Sequence, residues 1–236
     1  MFEGQDLTQI KTDAEWEKIR GVKIATVFQD PMTSLNSIRT IGSQITEVII
    51  KHQKKSKEEA KQIIISLIPK EDTVAWGGSA TMNELGIIDY VKNENFKVID
   101  RDLAKTPEEK QEMMRQSLLS DTFLSGANAI TEDGEIINVD GNGNRVAALT
   151  FGPKSVVIAC GINKIVRSVQ DAETRARTIA APINAQRFDI TTPCIATGRC
   201  CDCKSPQSIC CVISRIRLCK PKGRIKVVII GESLGF

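Results

Sequence analysis

Aromatic side chains make up only 4% of this 236-residue chain, and it carries a single histidine, His52. Scarce aromatics, with none interleaved in the basic run KHQKKSK and a formal net charge of only +3, argue against a nucleic-acid partner, which needs a basic stripe with stacking rings or a docking motif. One histidine leaves no serine-histidine or cysteine-histidine pair, so acid-base chemistry in the bulk of the chain would fall to Asp, Glu, Lys or Cys. No apolar run approaches the ~18 residues of a membrane span. The start MFEGQDLTQIK has neither the basic opening nor the apolar stretch of a secretion signal, so a cytoplasmic protein with no membrane partner is expected. Internal repeats and low-complexity tracts are also missing.

Hydrophobic residues amount to 41% and charged residues to 26%, the balance of an ordinary folded globular chain. Residues 22–28 read as one apolar strand and residues 41–49 as an amphipathic helix. Beyond Lys57 the character changes, and apolar strand runs alternate with polar helical stretches. Strands are expected at 73–76, 97–99, 122–124, 155–159 and 225–230, and helices at 82–91, 107–119 and 171–178. This alternation predicts an α/β fold, a mainly parallel sheet flanked by helices. An inserted β-hairpin is expected in ITEDGEIINVDGNGNRVAALTF, where Asp133-Gly134 and the glycine turn from Asp140 to Asn144 are strong turn signals.

Three groups of residues carry candidate chemistry. In VAWGGSATMNEL a strand meets Gly77 and Gly78, then Ser79 and Thr81 at a helix start, so amides and hydroxyls can converge on a carboxylate or phosphate. The same residues also suit a plain strand-to-helix turn with a hydroxyl cap. In GANAITEDGEIINVDGNGNR, Asn128, Asn144 and Arg145 stand near glycine turns, and Arg145 can clamp a carboxylate through two nitrogens, although Asn, Asp and Gly are also what hairpins require. Asn163 and Lys164 follow an apolar strand, at the end where open parallel sheets bind ligands; Lys154 precedes that strand and is the weaker candidate.

Seven of the eight cysteines fall between Cys194 and Cys219. Cys194, Cys200, Cys203 and Cys210 form a C-x5-C-x2-C-x6-C pattern. Four thiols from one loop suit zinc or an iron-sulfur cluster, while the spacing matches neither a ferredoxin run nor paired zinc knuckles. Thiol redox chemistry and inert reduced cysteines stay open, and Cys160 in SVVIACG reads as a small core residue.

Two resemblances follow from longer stretches. FEGQDLTQIKTDAEWEKIRGVKIATVFQDPMTSLNSIRTIGSQITEVI resembles the glutamine-loop region of oligopeptide-importer ABC transporter ATPases, whose glutamine, here Gln29, contacts the metal and the attacking water. The phosphate loop GxxxxGK[ST], the LSGGQ-like signature and the Asp-Glu strand of that family are missing from these residues, so no ATP cofactor is expected. PKEDTVAWGGSATMNELGI, SDTFLSGANAITEDGEIINVDGNGNRVAALTFGPK, VIACGINKIV and the cysteine segment resemble the LUD-domain family, named for lactate utilisation. That resemblance implies a fold similar to the NagB/RpiA/CoA transferase-like proteins. It also implies a role in oxidising L-lactate to pyruvate, with a small carboxylate as substrate and iron-sulfur redox proteins as partners. A second reading is a non-enzymatic accessory or electron-transfer module working through a metal at the cysteine loop. The two stretches divide the chain into an ATPase-like fragment, 1–55, and a LUD-like domain, 56–236, joined by gene fusion or sequence assembly.

Overall fold

A computed structural model of the chain describes residues 6–12, 15, 16, 19 and 57–236. Gln29, the expected strand 22–28 and helix 41–49, His52 and the basic residues before Lys57 lie outside the described residues. The chain divides into two compact units, residues 1–54 and 55–236. In the first, a 3-10 turn, Leu7–Gln9, is capped by the Asp6 carboxylate, which accepts the Thr8 amide at 3.0 Å.

The second unit is built on a five-stranded parallel sheet in the order β2-β1-β3-β6-β9: β1 Thr73–Trp76, β2 Lys97–Ile99, β3 Thr122–Gly126, β6 Ser155–Gly161 and β9 Ile225–Ile230. The expected bounds of β1, β2 and β9 match, and β3 and β6 each run two residues further than expected, through glycines that the sequence pattern could not separate from loop. The pleat sorts the side chains onto two faces. Val74, Trp76, Leu124, Val157 and Ala159 pack with α1 (Lys57–Ser66), α2 (Ala80–Glu84) and α3 (Ile87–Asn93). Ala75, Phe123, Val156, Ile158 and Cys160 face Ala148 and Leu149 of α5 (Asn144–Thr150) together with Ile130 and Ile136. Fully burying side chains of the size of Phe123 or Leu124 stabilises by roughly 1.5–3 kcal/mol each. The thiol of Cys160 is fully buried in this core, and burial pushes it up to about 11.

Three expectations need correction. The single helix 82–91 is two helices, because Gly86 adopts a left-handed φ of 64° between α2 and α3. The helix 107–119 ends at Gln116 as α4 (Pro107–Gln116) and continues as a 3-10 turn, Ser117–Leu119. The helix 171–178 starts earlier, at a Ser168–Asp171 capping box, as α6 (Val169–Arg175), and then widens into a π turn, Ala176–Ala180.

The inserted hairpin is real but larger than expected. β4 (Ala129–Thr131) and β5 (Ile136–Asp140) turn at Asp133-Gly134 and pair antiparallel. They join β7 (Ile165–Val166) and β8 (Val212–Ile216) in a second sheet of order β7-β4-β5-β8. The Asp140 to Asn144 turn closes no hairpin; it opens α5, with the Asp140 carboxylate accepting the amides of Gly141, Arg145 and Val146 at 3.0–3.2 Å. An Asp followed by Gly-Asn-Gly serves equally to cap a helix, and the carboxylate decides the matter.

Candidate functional site

Four carboxyl ends of the parallel sheet open into one cleft of about 1310 Å3. β1 ends in Gly77-Gly78, β2 leads into Arg101, β3 into Asn128 and β6 into Lys164, and all of these line the cleft. Strand order reverses between β1 and β3, and ligands of open parallel sheets sit at such a switch point. Packing there is close: a Cβ on Gly126 would lie 2.7 Å from Ser79 Oγ.

Each glycine of the pair lies under an arginine. A Cβ on Gly77 would meet Cγ and Cδ of Arg145 at 3.1 Å, and one on Gly78 would stand 3.5 Å from a terminal nitrogen of Arg101. Arg145 is anchored by one terminal nitrogen, which donates to Asn128 Oδ1 at 3.0 Å and to the Val139 carbonyl at 2.6 Å. Asn128 Oδ1 in turn accepts the Val139 amide at 2.9 Å, which fixes the amide orientation. Burial pushes the Arg145 guanidinium down, Asp140 opposes that, and Arg101 reinforces it by like-charge repulsion. Arg101 forms no side-chain hydrogen bond or ion pair among the described residues, and its Nε is buried without a partner. It opens the 3-10 turn Arg101–Leu103, which is capped by Asp100, a buried carboxylate that accepts the Asp102 amide at 3.0 Å and pairs with Lys92 at 2.7 Å. Neither guanidinium has an ion pair within 4 Å among the described residues, although the Asp140 charge acts on Arg145, and two such groups on one cleft wall can be bridged by an anion.

Of the two hydroxyls, Ser79 lines the cleft and Thr81 does not. Ser79 caps α2 by accepting the Met82 amide at 3.2 Å. Thr81 lies outside the cleft lining; its Oγ1 accepts from Lys164 Nζ at 2.9 Å and donates to the Leu234 carbonyl at 3.3 Å. Asn163 also lies off the lining, where Oδ1 accepts the Leu234 amide and Nδ2 donates to the Gly235 carbonyl. Asn144 lines the cleft at the start of α5. Lys154 lies at the opposite end of β6, paired with Asp121 at 2.7 Å. Lys164 is only 3% exposed, and burial lowers it to about 8.

Sequence reasoning missed Arg101, although its signal was present: it follows strand 97–99 at a carboxyl end, the same rule that singled out Lys164. It missed Arg175 as well, which joins two strand-end loops by donating to the Asn163 and Asn128 carbonyls at 2.9 and 2.5 Å.

Cys194, Cys200, Cys203 and Cys210 do not line the cleft, but Ser208 and Ile209 of the same segment do, with Ile209 packed against Gly141. All eight cysteines are free thiols. Burial and then the neighbouring Cys200, Cys194 and Cys203 push Cys210 up to about 11, so the four thiols gather in one region. Their chemistry suits zinc or an iron-sulfur cluster; their placement does not, since no three His, Cys, Asp or Glu side chains among the described residues are grouped to hold a metal ion. No helix among the described residues is long and apolar enough to cross a membrane.

The second unit is thus a parallel α/β domain with two arginines and a buried lysine at the carboxyl ends of its sheet. The chain belongs to the LUD domain family, which matches residues 49–230. A second similarity lies in the N-terminal part of the chain and overlaps the start of that match. Over 69 residues it is 61% identical to the oligopeptide transport ATP-binding protein AmiE of Streptococcus pneumoniae, which is 29% of this chain and 19% of that protein. Over 68 residues it is 48% identical to OppD of Bacillus subtilis, again 19% of that protein. The chain thus spans about one fifth of the length of these curated relatives. Among solved structures, a DUF162 family protein from Deinococcus radiodurans aligns with 75% of this chain and 99% of its own, at 14% identity and a TM-score of 0.32. Ribose 5 phosphate isomerase A from Neisseria gonorrhoeae aligns over 48% and 56%, also at 14% identity and 0.32. Scores of that size add nothing to the topology described above.

Proposed function

We propose that the LUD domain binds a small carboxylate in the cytoplasm and takes part in the oxidation of L-lactate to pyruvate together with iron-sulfur redox partners. The observation that carries this reading is the meeting of Arg101 and Arg145 over Gly77-Gly78, neither with an ion pair among the described residues. Arginine offers a carboxylate two parallel donors, and a half-buried site strengthens each of them. Calorimetry with L-lactate, pyruvate and oxalate tests it. Binding is expected to weaken roughly ten- to a hundredfold in Arg145→Gln, the worth of one charge-assisted contact. Absence of binding, or equal binding by wild type and variant, overturns the assignment.

Zinc or an iron-sulfur cluster at Cys194, Cys200, Cys203 and Cys210 belongs to the same proposal on the chemistry of four thiols from one loop alone, and holding it would require these side chains to regroup. Anaerobically prepared protein is expected to retain metal, and Cys203→Ala to lose it while Cys160→Ala keeps it. Metal-free wild type would leave the segment a reduced thiol loop and remove the accessory electron-transfer reading. The ATPase-like residues 1–55 are proposed to be a remnant without ATP hydrolysis, because the matched stretch holds Gln29 but no phosphate loop.

A further inference from the structure

Lys164 is out of place for a lysine. It lies at the end of the 3-10 turn Ile162–Lys164 that follows β6, 3% exposed, yet it borders the cleft. Buried lysines are normally paired with a carboxylate. Among the described residues this one has no ion pair; its single hydrogen bond runs from Nζ to Thr81 Oγ1 at 2.9 Å. Space beside the amine is kept by Gly235, which adopts a φ of 57° and whose Cβ, were there one, would stand 2.9 Å from Nζ and 2.7 Å from Thr81 Oγ1. The residues around it are arranged to hold this geometry. Asn163 grips the Leu234 amide and the Gly235 carbonyl, and Glu84 accepts the Gly235 amide at 3.0 Å.

We propose that Lys164 is a carbonyl-capturing amine, forming an imine with a 2-oxo acid whose carboxylate is held by Arg145. The proposal rests on the small-carboxylate reading of the cleft and adds a covalent step to it. A protonated lysine cannot attack a carbonyl, and burial without a carboxylate favours the neutral form. The amine's downward shift to about 8 agrees: burial is the main cause, Arg175 and Arg145 push the same way, and Cys160 and Glu84 oppose. Arg145 and Lys164 line the same cleft, so an acid held by the first is presented on the side of the second.

The step balances without an oxidant. The nitrogen lone pair forms a bond to the carbonyl carbon while the carbonyl oxygen takes up a proton, giving a carbinolamine. The carbon-oxygen bond then breaks and water leaves, both of its hydrogens traceable to the original amine. Thr81 Oγ1, already hydrogen-bonded to Nζ, is the nearest hydroxyl to pass the proton between nitrogen and departing oxygen. Hydrolysis reverses the sequence, so the site captures and releases its oxo acid without net chemistry.

Reductive trapping tests this on the full chain. Protein is incubated with pyruvate and sodium borohydride, then followed by intact mass and peptide mapping, while pyruvate binding is measured calorimetrically in parallel. The expected result is a single reduced pyruvyl adduct per chain on the peptide holding Lys164, suppressed roughly tenfold by oxalate and by Arg145→Gln, in line with loss of the carboxylate anchor. Lys164→Arg should lose that adduct. Should Lys164→Arg fail to fold, the wild-type peptide map decides alone, because exposed Lys154 reports background labelling in the same sample. Pyruvate that binds but is never trapped at Lys164, or adducts no more frequent there than at Lys154, overturns the imine and leaves the carboxylate site standing. Failure of both trapping and binding overturns both.

Discussion

Replacing Arg224 with methionine is expected to cost about 3–5 kcal/mol of folding stability, although the residue lies outside the cleft. Arg224 is 8% exposed and precedes β9. Its three guanidinium nitrogens donate to the carbonyls of Pro153, Leu149 and Ala148 at 2.9, 2.8 and 2.6 Å. Ala148 and Leu149 belong to the last turn of α5, whose carbonyls have no partner within the helix. Methionine fills similar volume and leaves these buried acceptors unpaired, at roughly 1–3 kcal/mol each before relaxation. Urea melts should show a lower midpoint with an unchanged slope, and lysine in the same place should restore only part of the loss, since one ammonium cannot reproduce the planar fork. A change below about 1 kcal/mol would mean that water reaches these carbonyls. Because α5 carries Arg145, the same variant should also weaken carboxylate binding.

The second large effect is a pH dependence that Lys164→Met should abolish. Burial holds Lys164 down to about 8 in the folded state, against an ordinary 10.5. The unfolded chain therefore holds this proton more tightly, and stability must rise with pH between these two values. Below pH 8 the folded state bears the full penalty of a buried ammonium, roughly 3 kcal/mol, and it is relieved as the amine deprotonates. The groups facing it are the guanidinium groups of Arg175 and Arg145, the Glu84 side chain and the Cys160 thiol, which burial raises to about 11. Paired urea melts should show wild type gaining roughly 3 kcal/mol on the methionine variant between about pH 7.5 and 10.5. A constant difference would mean that water or a counter-ion solvates the ammonium in place.

The two sheets were unequally legible in the sequence. β1, β2 and β9 are short apolar runs bracketed by polar or turn residues, so local pattern suffices for them. β8 is different: VISRI alternates only weakly and becomes a strand by pairing with β5, Ile137 opposite Arg215 and Val139 opposite Ile213, partners more than seventy residues away. α5 was hidden because NGNRVAALT begins like a turn, and only the Asp140 carboxylate commits it to a helix. At the site, Gly77, Gly78, Asn128, Asn144, Arg145 and Lys164 come together in the cleft. Ser79 also lines it, while Thr81 and Asn163 turn away to hold the segment that crosses Lys164. Those directions depend on where α2 starts and on residues 234 and 235, which no local window contains.

The packing of α1 against β9 governs how quickly this domain can form. Ala60 and Ile64 share a core with Ile230 and Leu234, and Lys57 meets Glu232 at 3.8 Å. Contacts spanning about 170 residues return free energy only after a long loop has been closed, so α1 is expected to dock on β9 late in refolding. While β9 is undocked, β6, buried along six of its seven residues, has one unpaired edge, ready to pair with β6 of another copy. Dilution during refolding therefore favours the native domain, and a chain shortened before Ile225 keeps that edge open permanently.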